Sequence, residues 1–170
     1  RRRGRKACPC DVEAFQESGR RVTLYKGVRE WFARINAYGA ARGIRILHYI
    51  NSSGLKEIIE GTEIAHEFRR IYACSFLYDI DGVAYWPAVA VNYTNKTQFI
   101  FKINKGVESV FDSKLVNQYI EEDKRPVPFR RMIYVGDGTT DIPCMRLVKN
   151  SGGHSIAVYN PDQKGARKEM

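Results

Sequence analysis

Arg131-Met-Ile-Tyr-Val-Gly-Asp-Gly-Thr-Thr-Asp141 carries the clearest fold signal in this chain. Its apolar run, 132–135, predicts a buried strand of a parallel sheet, and Gly136-Asp137-Gly138 predicts a tight turn that ends the strand. Asp141 follows four residues after Asp137, near the start of the next predicted helix. Because ligands of open α/β sheets bind at the carboxyl ends of strands, we expect both carboxylates to face one small volume. Such a pair suits a hard cation such as Mg²⁺, and the alternative is an Asp that only caps a helix.

The composition is that of a folded domain with no membrane-spanning segment. The chain has 170 residues, including ten Tyr, eight Phe and two Trp, which is enough to form one core. No apolar run approaches the ~20 residues that cross a bilayer, and no apolar stretch follows the basic start as in a signal peptide. The four cysteines form neither a zinc spacing nor a disulfide framework. We therefore predict a cytoplasmic protein.

The net charge of +9 raises the question of a nucleic-acid partner. Five basic residues stand together in Arg1-Arg-Arg-Gly-Arg-Lys6. A basic run at a terminus is usually a solvated tail, and the chain has neither a zinc-finger spacing nor the aromatic pattern of an RNA-binding sheet. The sequence argues against nucleic acid. The remaining positive charge either attracts an anionic substrate or only keeps the protein soluble.

Helical and strand patterns alternate after an irregular basic segment, residues 1–19. The predicted helices cover 28–41, 55–61, 97–105, 113–122 and 141–149, and the predicted strands cover 44–50, 71–78, 83–91, 132–135 and 155–158. Asp79-Ile-Asp-Gly82 between two strand patterns predicts a β-hairpin around 71–91. The alternation predicts an α/β core over 20–170 with a doubly wound, mostly parallel sheet.

Two further loops carry groups that suit an anion. Asn51-Ser-Ser-Gly54 precedes a predicted helix, and its small hydroxyls beside a glycine offer donors to a phosphate, although a plain Ser N-cap explains the same pattern. Lys96 opens the predicted helix 97–105. A lysine is unfavourable at the positive end of a helix dipole, so a bound phosphate is one reason for its position. An ordinary surface lysine is the alternative.

The order of these loops resembles that of the haloacid dehalogenase-like (HAD) phosphatase superfamily, and is most similar to its phosphoserine-phosphatase-like branch. Ser52, with Ser53 beside it, resembles the second motif of that family. Lys96 resembles the third motif. Gly136-Asp-Gly-Thr-Thr-Asp141 resembles the fourth, which is the most specific. The resemblance extends from about residue 22 to residue 161, which is most of the chain.

This resemblance implies a Rossmann-like core and a Mg²⁺-dependent phosphatase-type hydrolase. Its substrate would be a phosphorylated small molecule, hydrolysed through an aspartyl-phosphate intermediate. The lysine would hold both the phosphate and the nucleophile, and the second acid of the fourth motif would ligate the metal or orient its waters. The implied phosphate-binding groups are Ser52, Ser53, Gly54 and Lys96, the implied catalytic groups are Lys96 and Asp137, and the implied metal ligands are Asp137 and Asp141.

The family's first motif, an Asp-x-Asp that supplies the nucleophile, is missing from this chain. Asp11 follows Cys-Pro-Cys rather than an apolar strand, which argues against it as the nucleophile. Asp79-Ile-Asp81 has the right local pattern, but it stands between the second and third motifs, where a hairpin turn explains it. We therefore expect an incomplete core whose first strand, nucleophile and cap lie outside the sequence, with residues 1–19 as a candidate cap remnant. The alternative function is a non-catalytic module that binds phosphate, a metal or a partner.

Overall fold

The fold is that of a computed structural model, which describes residues 10–112 and 114–159. These residues form two compact units that divide between Ala90 and Val91. Both units combine helices with sheets, and most of the strand pairs are parallel, so the mixed α/β fold class is confirmed. A doubly wound order stays a prediction. Among the described residues, no helix is long and apolar enough to cross a membrane. The basic run at residues 1–6 lies outside the described residues.

The described part of the first unit combines three α-helices with a three-stranded sheet. The helices are α1 (Val12–Arg20), α2 (Val28–Ala40) and α3 (Lys56–Glu60), and the strands are β1 (His48–Leu55), β2 (Phe68–Tyr78) and β3 (Ala84–Val89). β1 and β2 are parallel. β2 and β3 are antiparallel and form the predicted hairpin, which is therefore confirmed. The predicted helix over 28–41 is also confirmed.

Helix α1 lies where we predicted irregular structure. Asp11 caps it, because its side chain accepts a hydrogen bond from the Ala14 N–H at 2.6 Å. α1 also packs closely against α3 at Gly19 and Gly61, where any side chain would meet backbone atoms of the other element. The cap and this close packing stabilise a helix that the polar sequence did not indicate. A role for residues 1–19 as a cap remnant stays a prediction.

Strand β1 is displaced from the predicted strand over 44–50. It begins at His48 and continues through Asn51-Ser-Ser-Gly54, which we had predicted to be a loop. The reason is its parallel pairing with β2, which extends to Leu55 opposite Cys74 and has an irregular register between Asn51 and Leu55. The hydroxyl-bearing residues therefore lie in a distorted part of a strand rather than after its end.

The described part of the second unit combines three α-helices with a two-stranded parallel sheet. The helices are α4 (Lys96–Lys105), α5 (Lys114–Asn117) and α6 (Ile142–Asn150), and the strands are β4 (Ile133–Gly136) and β5 (His154–Ala157). α6 connects β4 to β5 and packs against both, which makes a βαβ unit. The predicted elements over 97–105, 132–135, 141–149 and 155–158 are confirmed within a few residues.

The helix predicted for 113–122 is wrong beyond Asn117. Two lysines of α4 determine the course of this segment. The Lys102 ammonium donates to the carbonyl oxygens of Ser109 and Asp112 at 3.0 and 2.7 Å. The Lys105 ammonium donates to the carbonyl oxygens of Val116, at 2.7 Å, and Gln118. Because lysine side chains hydrogen bond to these carbonyl groups, the segment does not need to continue as a helix.

One face of the β4–β5 sheet is apolar and exposed. It carries Ile133, Val135, Ile156 and Val158, whose exposed fractions lie between 41% and 63%. The prediction of a fully buried strand is therefore wrong for this face. The other face packs on α6, and the Ser155 hydroxyl donates to the carbonyl oxygen of Met145 at 2.7 Å. Parallel strands are usually covered on both faces, so the exposed face is unusual for such a sheet.

Candidate functional site

A buried ion pair between Lys96 and Asp141 is the central feature of the second unit. Lys96 is the first residue of α4, and Asp141 ends the short 3₁₀ turn Thr139–Asp141 that leads into α6. The Lys96 Nζ lies 2.6 Å from the Asp141 Oδ1, and only 5% and 8% of the two side chains are exposed. The sequence placed these residues in two loops of one predicted site, and the structure brings them into direct contact.

Asp141 receives two further hydrogen bonds. The Tyr134 hydroxyl donates to the same Oδ1 at 2.7 Å, and the backbone N–H of Asp137 donates to Oδ2 at 3.3 Å. Burial alone raises the pKa of the Asp141 carboxyl, but the hydrogen bonds from Lys96 and Tyr134 outweigh it, so the pKa lies below its usual value. Asp141 is therefore a carboxylate at neutral pH, held by an ammonium, a hydroxyl and an amide.

Gly136 makes the close approach of Asp141 to β4 possible. A Cβ on Gly136 would lie 2.7 Å from the Asp141 Cβ, whereas no atom lies within 4 Å of a Cβ on Gly138. Neither glycine has a positive φ. The prediction of a turn that needs glycine conformations is therefore wrong. Gly136 is needed because a side chain there would clash with Asp141, and Gly138 is not needed for space. Asp137 lies between them with an exposed side chain, directly after β4.

An asparagine turn sets the start of α4 and so the position of Lys96. The Asn92 side-chain oxygen accepts from the Thr94 N–H at 2.9 Å, and the Asn95 side-chain oxygen accepts from the Asn92 N–H at 2.8 Å. The Lys96 N–H donates to the Asn92 carbonyl oxygen at 3.0 Å. This turn begins the helix at Lys96, and α4 then packs against α6, which follows Asp141 directly.

Ser52, Ser53 and Gly54 lie in the first unit. The Ser52 Oγ accepts a hydrogen bond from the Gly54 N–H at 3.0 Å, so that N–H is already engaged inside the turn. The phosphate-binding role of Gly54 stays a prediction. The Ser53 carbonyl oxygen accepts from the Cys74 thiol at 3.4 Å, which ties the turn to β2. The Ser52 hydroxyl retains its own O–H as a donor, because in the Gly54 contact it acts as the acceptor.

Asp79, in the hairpin turn, has a structural role. Asp79 Oδ1 accepts hydrogen bonds from the N–H groups of Asp81 and Val83 at 3.0 and 2.8 Å. Gly82 completes the turn with a φ of 75°. These contacts support the interpretation of Asp79-Ile-Asp-Gly82 as a hairpin turn rather than a nucleophile motif.

The acids of the second unit suit Mg²⁺ only as part of a larger ligand set. Within residues 10–112 and 114–159, no three His, Cys, Asp or Glu side chains form a group that could hold a metal. Asp137 has an exposed carboxylate, whereas both oxygens of Asp141 already accept hydrogen bonds. Mg²⁺ is often held by one or two carboxylates together with water and substrate phosphate, so Asp137 fits the role of a single ligand.

Tyr134 is the residue of this site that the sequence analysis missed. A tyrosine inside an apolar strand pattern is usually a core residue, so nothing marked its hydroxyl as a partner of Asp141. The signal that could have found it is the alternation along β4. Tyr134 and Gly136 lie on the same face of that strand, and Asp141 follows immediately after the turn.

Comparison with known proteins gives one informative similarity and no functional assignment. No family model matches the chain. An uncharacterized protein of Borreliella burgdorferi is 28% identical to it over 182 residues, an alignment that covers 93% of this chain. The chain spans 61% of the length of that relative. A similar sequence therefore occurs within a longer protein, which is itself uncharacterized.

Proposed function

We propose that this chain is part of a HAD-like, Mg²⁺-dependent phosphatase-type hydrolase that acts on a phosphorylated small molecule. In this proposal the nucleophilic Asp lies outside the sequence. The hydrolase would act through an aspartyl-phosphate intermediate, and Ser52, Lys96 and Asp137 would contact the phosphate or the metal. A Rossmann-like core is part of the proposal.

The buried Lys96–Asp141 pair is the observation that carries this proposal. A lysine at the first position of a helix faces an unfavourable dipole, and burying it adds a desolvation cost. Here its side chain is 5% exposed and its ammonium contacts Asp141, the second acid of the predicted acidic motif. Such a placement is costly for a purely structural lysine and appropriate for one that neutralises a phosphoryl group.

The strand pairing gives independent support for an incomplete core. In the described residues, β1 pairs only with β2, and β4 pairs only with β5. The apolar face of the β4–β5 sheet is also exposed. Parallel strands that have a single partner, and an apolar sheet face that is exposed, are what a core without its first strand should show.

The site residues would divide the work at the phosphate. Asp137 would ligate Mg²⁺, which would offset the negative charge of the phosphoryl oxygens. Asp141 would fix the Lys96 ammonium beside the phosphate, in addition to its predicted contact with the metal or its waters. The Ser52 O–H would donate to a phosphoryl oxygen.

The test is phosphatase activity of the polypeptide that includes the coding sequence upstream of Arg1. It should hydrolyse p-nitrophenyl phosphate with Mg²⁺, lose activity in EDTA and recover it when Mg²⁺ is restored. Asp137→Asn should abolish turnover, and Lys96→Met should lower kcat/KM by roughly 100-fold or more. Asp123→Asn is the matched control, because Asp123 is exposed and pairs with Arg130 on the surface. An active Asp137→Asn enzyme would contradict the proposal.

The alternative is a non-catalytic module that binds phosphate or a metal. The engaged carboxylates of Asp79 and Asp141 favour this alternative, since neither is free to act as a nucleophile in the described part of the chain. Experiments on the longer polypeptide distinguish the two functions. Phosphate that raises the melting temperature without any turnover would establish the module. Turnover by the 170-residue chain alone, lost on Asp79→Asn, would instead show that the hairpin acid is the nucleophile.

A further inference from the structure

We infer that Tyr134 is a positioning residue of the candidate site: its hydroxyl fixes the Asp141 carboxylate so that the carboxylate holds the Lys96 ammonium in one place. This inference rests on the proposed function, because it takes Lys96 to be the phosphate-binding lysine. Tyr134 would not touch the phosphate. It would act through Asp141 and determine how well Lys96 is placed.

The two donors converge on one oxygen. The Tyr134 hydroxyl and the Lys96 ammonium both donate to Asp141 Oδ1, at 2.7 and 2.6 Å. The Asp137 N–H occupies Oδ2 at the longer distance of 3.3 Å. A carboxylate rotates easily about its last bond, and donors on both oxygens define that rotation. Of the two hydrogen bonds to Asp141 that do not come from Lys96, the shorter one, from Tyr134, constrains the carboxylate more strongly.

Tyr134 is itself held on two sides. It lies in the middle of β4, whose pairing with β5 runs from Ile133 to Gly136. Its hydroxyl also lies beside the Cys144 thiol of α6, a residue with no exposed surface. Strand β4 and helix α6 therefore determine the position of the hydroxyl, and the hydroxyl transmits that position to Asp141.

The hydroxyl is a permanent donor in this environment. A tyrosine hydroxyl keeps its proton at neutral pH, and here it donates a hydrogen bond to Asp141 Oδ1 at 2.7 Å. Gly136 leaves the space through which Asp141 approaches, since a Cβ there would lie 3.2 Å from the Asp141 Oδ2. A phenylalanine at 134 would fill nearly the same volume and remove only this donor. Tyr134→Phe therefore separates the positioning role from packing.

The test compares Tyr134→Phe with Tyr119→Phe in the 170-residue chain. Tyr119 is an exposed tyrosine of the same unit and serves as the control. The first measurement is the rate at which acetic anhydride labels Lys96, relative to Lys102 of the same helix, which is also buried. A general loss of stability would raise both rates equally. A positioning role predicts a ratio that rises about tenfold or more in Tyr134→Phe only, as expected for the loss of one charge-assisted hydrogen bond.

The second measurement is the affinity for inorganic phosphate by calorimetry. We expect Tyr134→Phe to weaken it about tenfold and Tyr119→Phe to leave it unchanged, because one hydrogen bond to a charged group is lost. An unchanged labelling ratio would overturn the inference, whatever the stability of the variant. A raised ratio in Tyr134→Phe, together with no phosphate binding by the unmodified chain, would support the positioning of Lys96 and count against the proposed function.

A third measurement does not depend on the folding of Tyr134→Phe. In the unmodified chain, the Tyr134 hydroxyl proton should exchange slowly with water and give an NMR resonance. That resonance should shift or disappear in Asp141→Asn. A Tyr134 hydroxyl that exchanges as fast as that of Tyr119 would overturn the inference.

Discussion

Replacing Lys96 by Met should destabilise the second unit strongly. The variant keeps the length of the side chain, removes the ammonium and leaves the Asp141 carboxylate buried. Loss of one partner of a buried ion pair costs about 3–5 kcal/mol. The Tyr134 hydroxyl and the Asp137 N–H still donate to this carboxylate, so we expect the lower end of that range, about 3 kcal/mol.

Asp141→Asn leaves the Lys96 ammonium without its charged partner and should cost a similar amount. The double variant contains neither charge. Its free energy of unfolding should therefore exceed the value expected from the two single changes by about 2–3 kcal/mol. Lys124→Met is the control, because Lys124 pairs with Glu121 at 2.8 Å with both side chains more than half exposed. That change should cost less than about 1 kcal/mol.

The assay must report on the second unit. Both tryptophans, Trp31 and Trp86, belong to the first unit, so tryptophan fluorescence is unsuitable. Amide hydrogen exchange of peptides covering α4 and 133–150 gives the local free energy of unfolding. A coupling energy below about 0.5 kcal/mol would refute the reasoning, because exposed pairs give such values.

Three further changes test other parts of the structure. Burial lowers the pKa of His48, so the folded state disfavours its protonated form. The melting temperature of the first unit, followed by tryptophan fluorescence, should be highest above pH 6.5 and fall as the pH drops from 6.5 towards the lowered pKa. His48→Gln should reduce this dependence on pH. Gly136→Ala should destabilise the second unit by about 1–3 kcal/mol through the clash with Asp141, and equal hydrogen-exchange stability in Gly136→Ala and Gly138→Ala would contradict the close approach. Lys102→Met should speed amide exchange in 107–112 without affecting β4, and uniform acceleration would show that Lys102 has a wider role.

Strong local patterns predicted most elements of this fold. The apolar spacing of α2 and α4 and the Asp-Gly turn of the hairpin appear in the structure where we expected them. Pairing partners explain the errors. β1 follows β2 beyond its apolar run, and the stretch after Asn117 is held by Lys105 instead of forming a helix. Neither contact is visible in a local sequence window.

In the candidate site, too, the sequence predicted some features and not those that depend on tertiary contacts. The resemblance of Lys96 and of the acidic turn to two motifs of one family predicted that they share a site. The hydrogen bond from Tyr134 to Asp141 forms because Asp141 approaches strand β4 closely. That approach is possible because Gly136 has no side chain. Burial of a polar pair is a tertiary property, and one sequence alone gave no sign of it.

The Lys96–Asp141 contact also bears on which insertions the chain should tolerate. The two residues are 45 positions apart, and in the connection between Val107 and Arg125 the described residues form only short helical segments. The entropy of closing a loop grows only with the logarithm of its length, so doubling the loop adds only about 0.6 kcal/mol. By contrast, the spacing of four residues between Asp137 and Asp141 is set by a single turn. Related proteins should therefore differ in length between α4 and β4 and keep a constant length from Gly136 to Asp141.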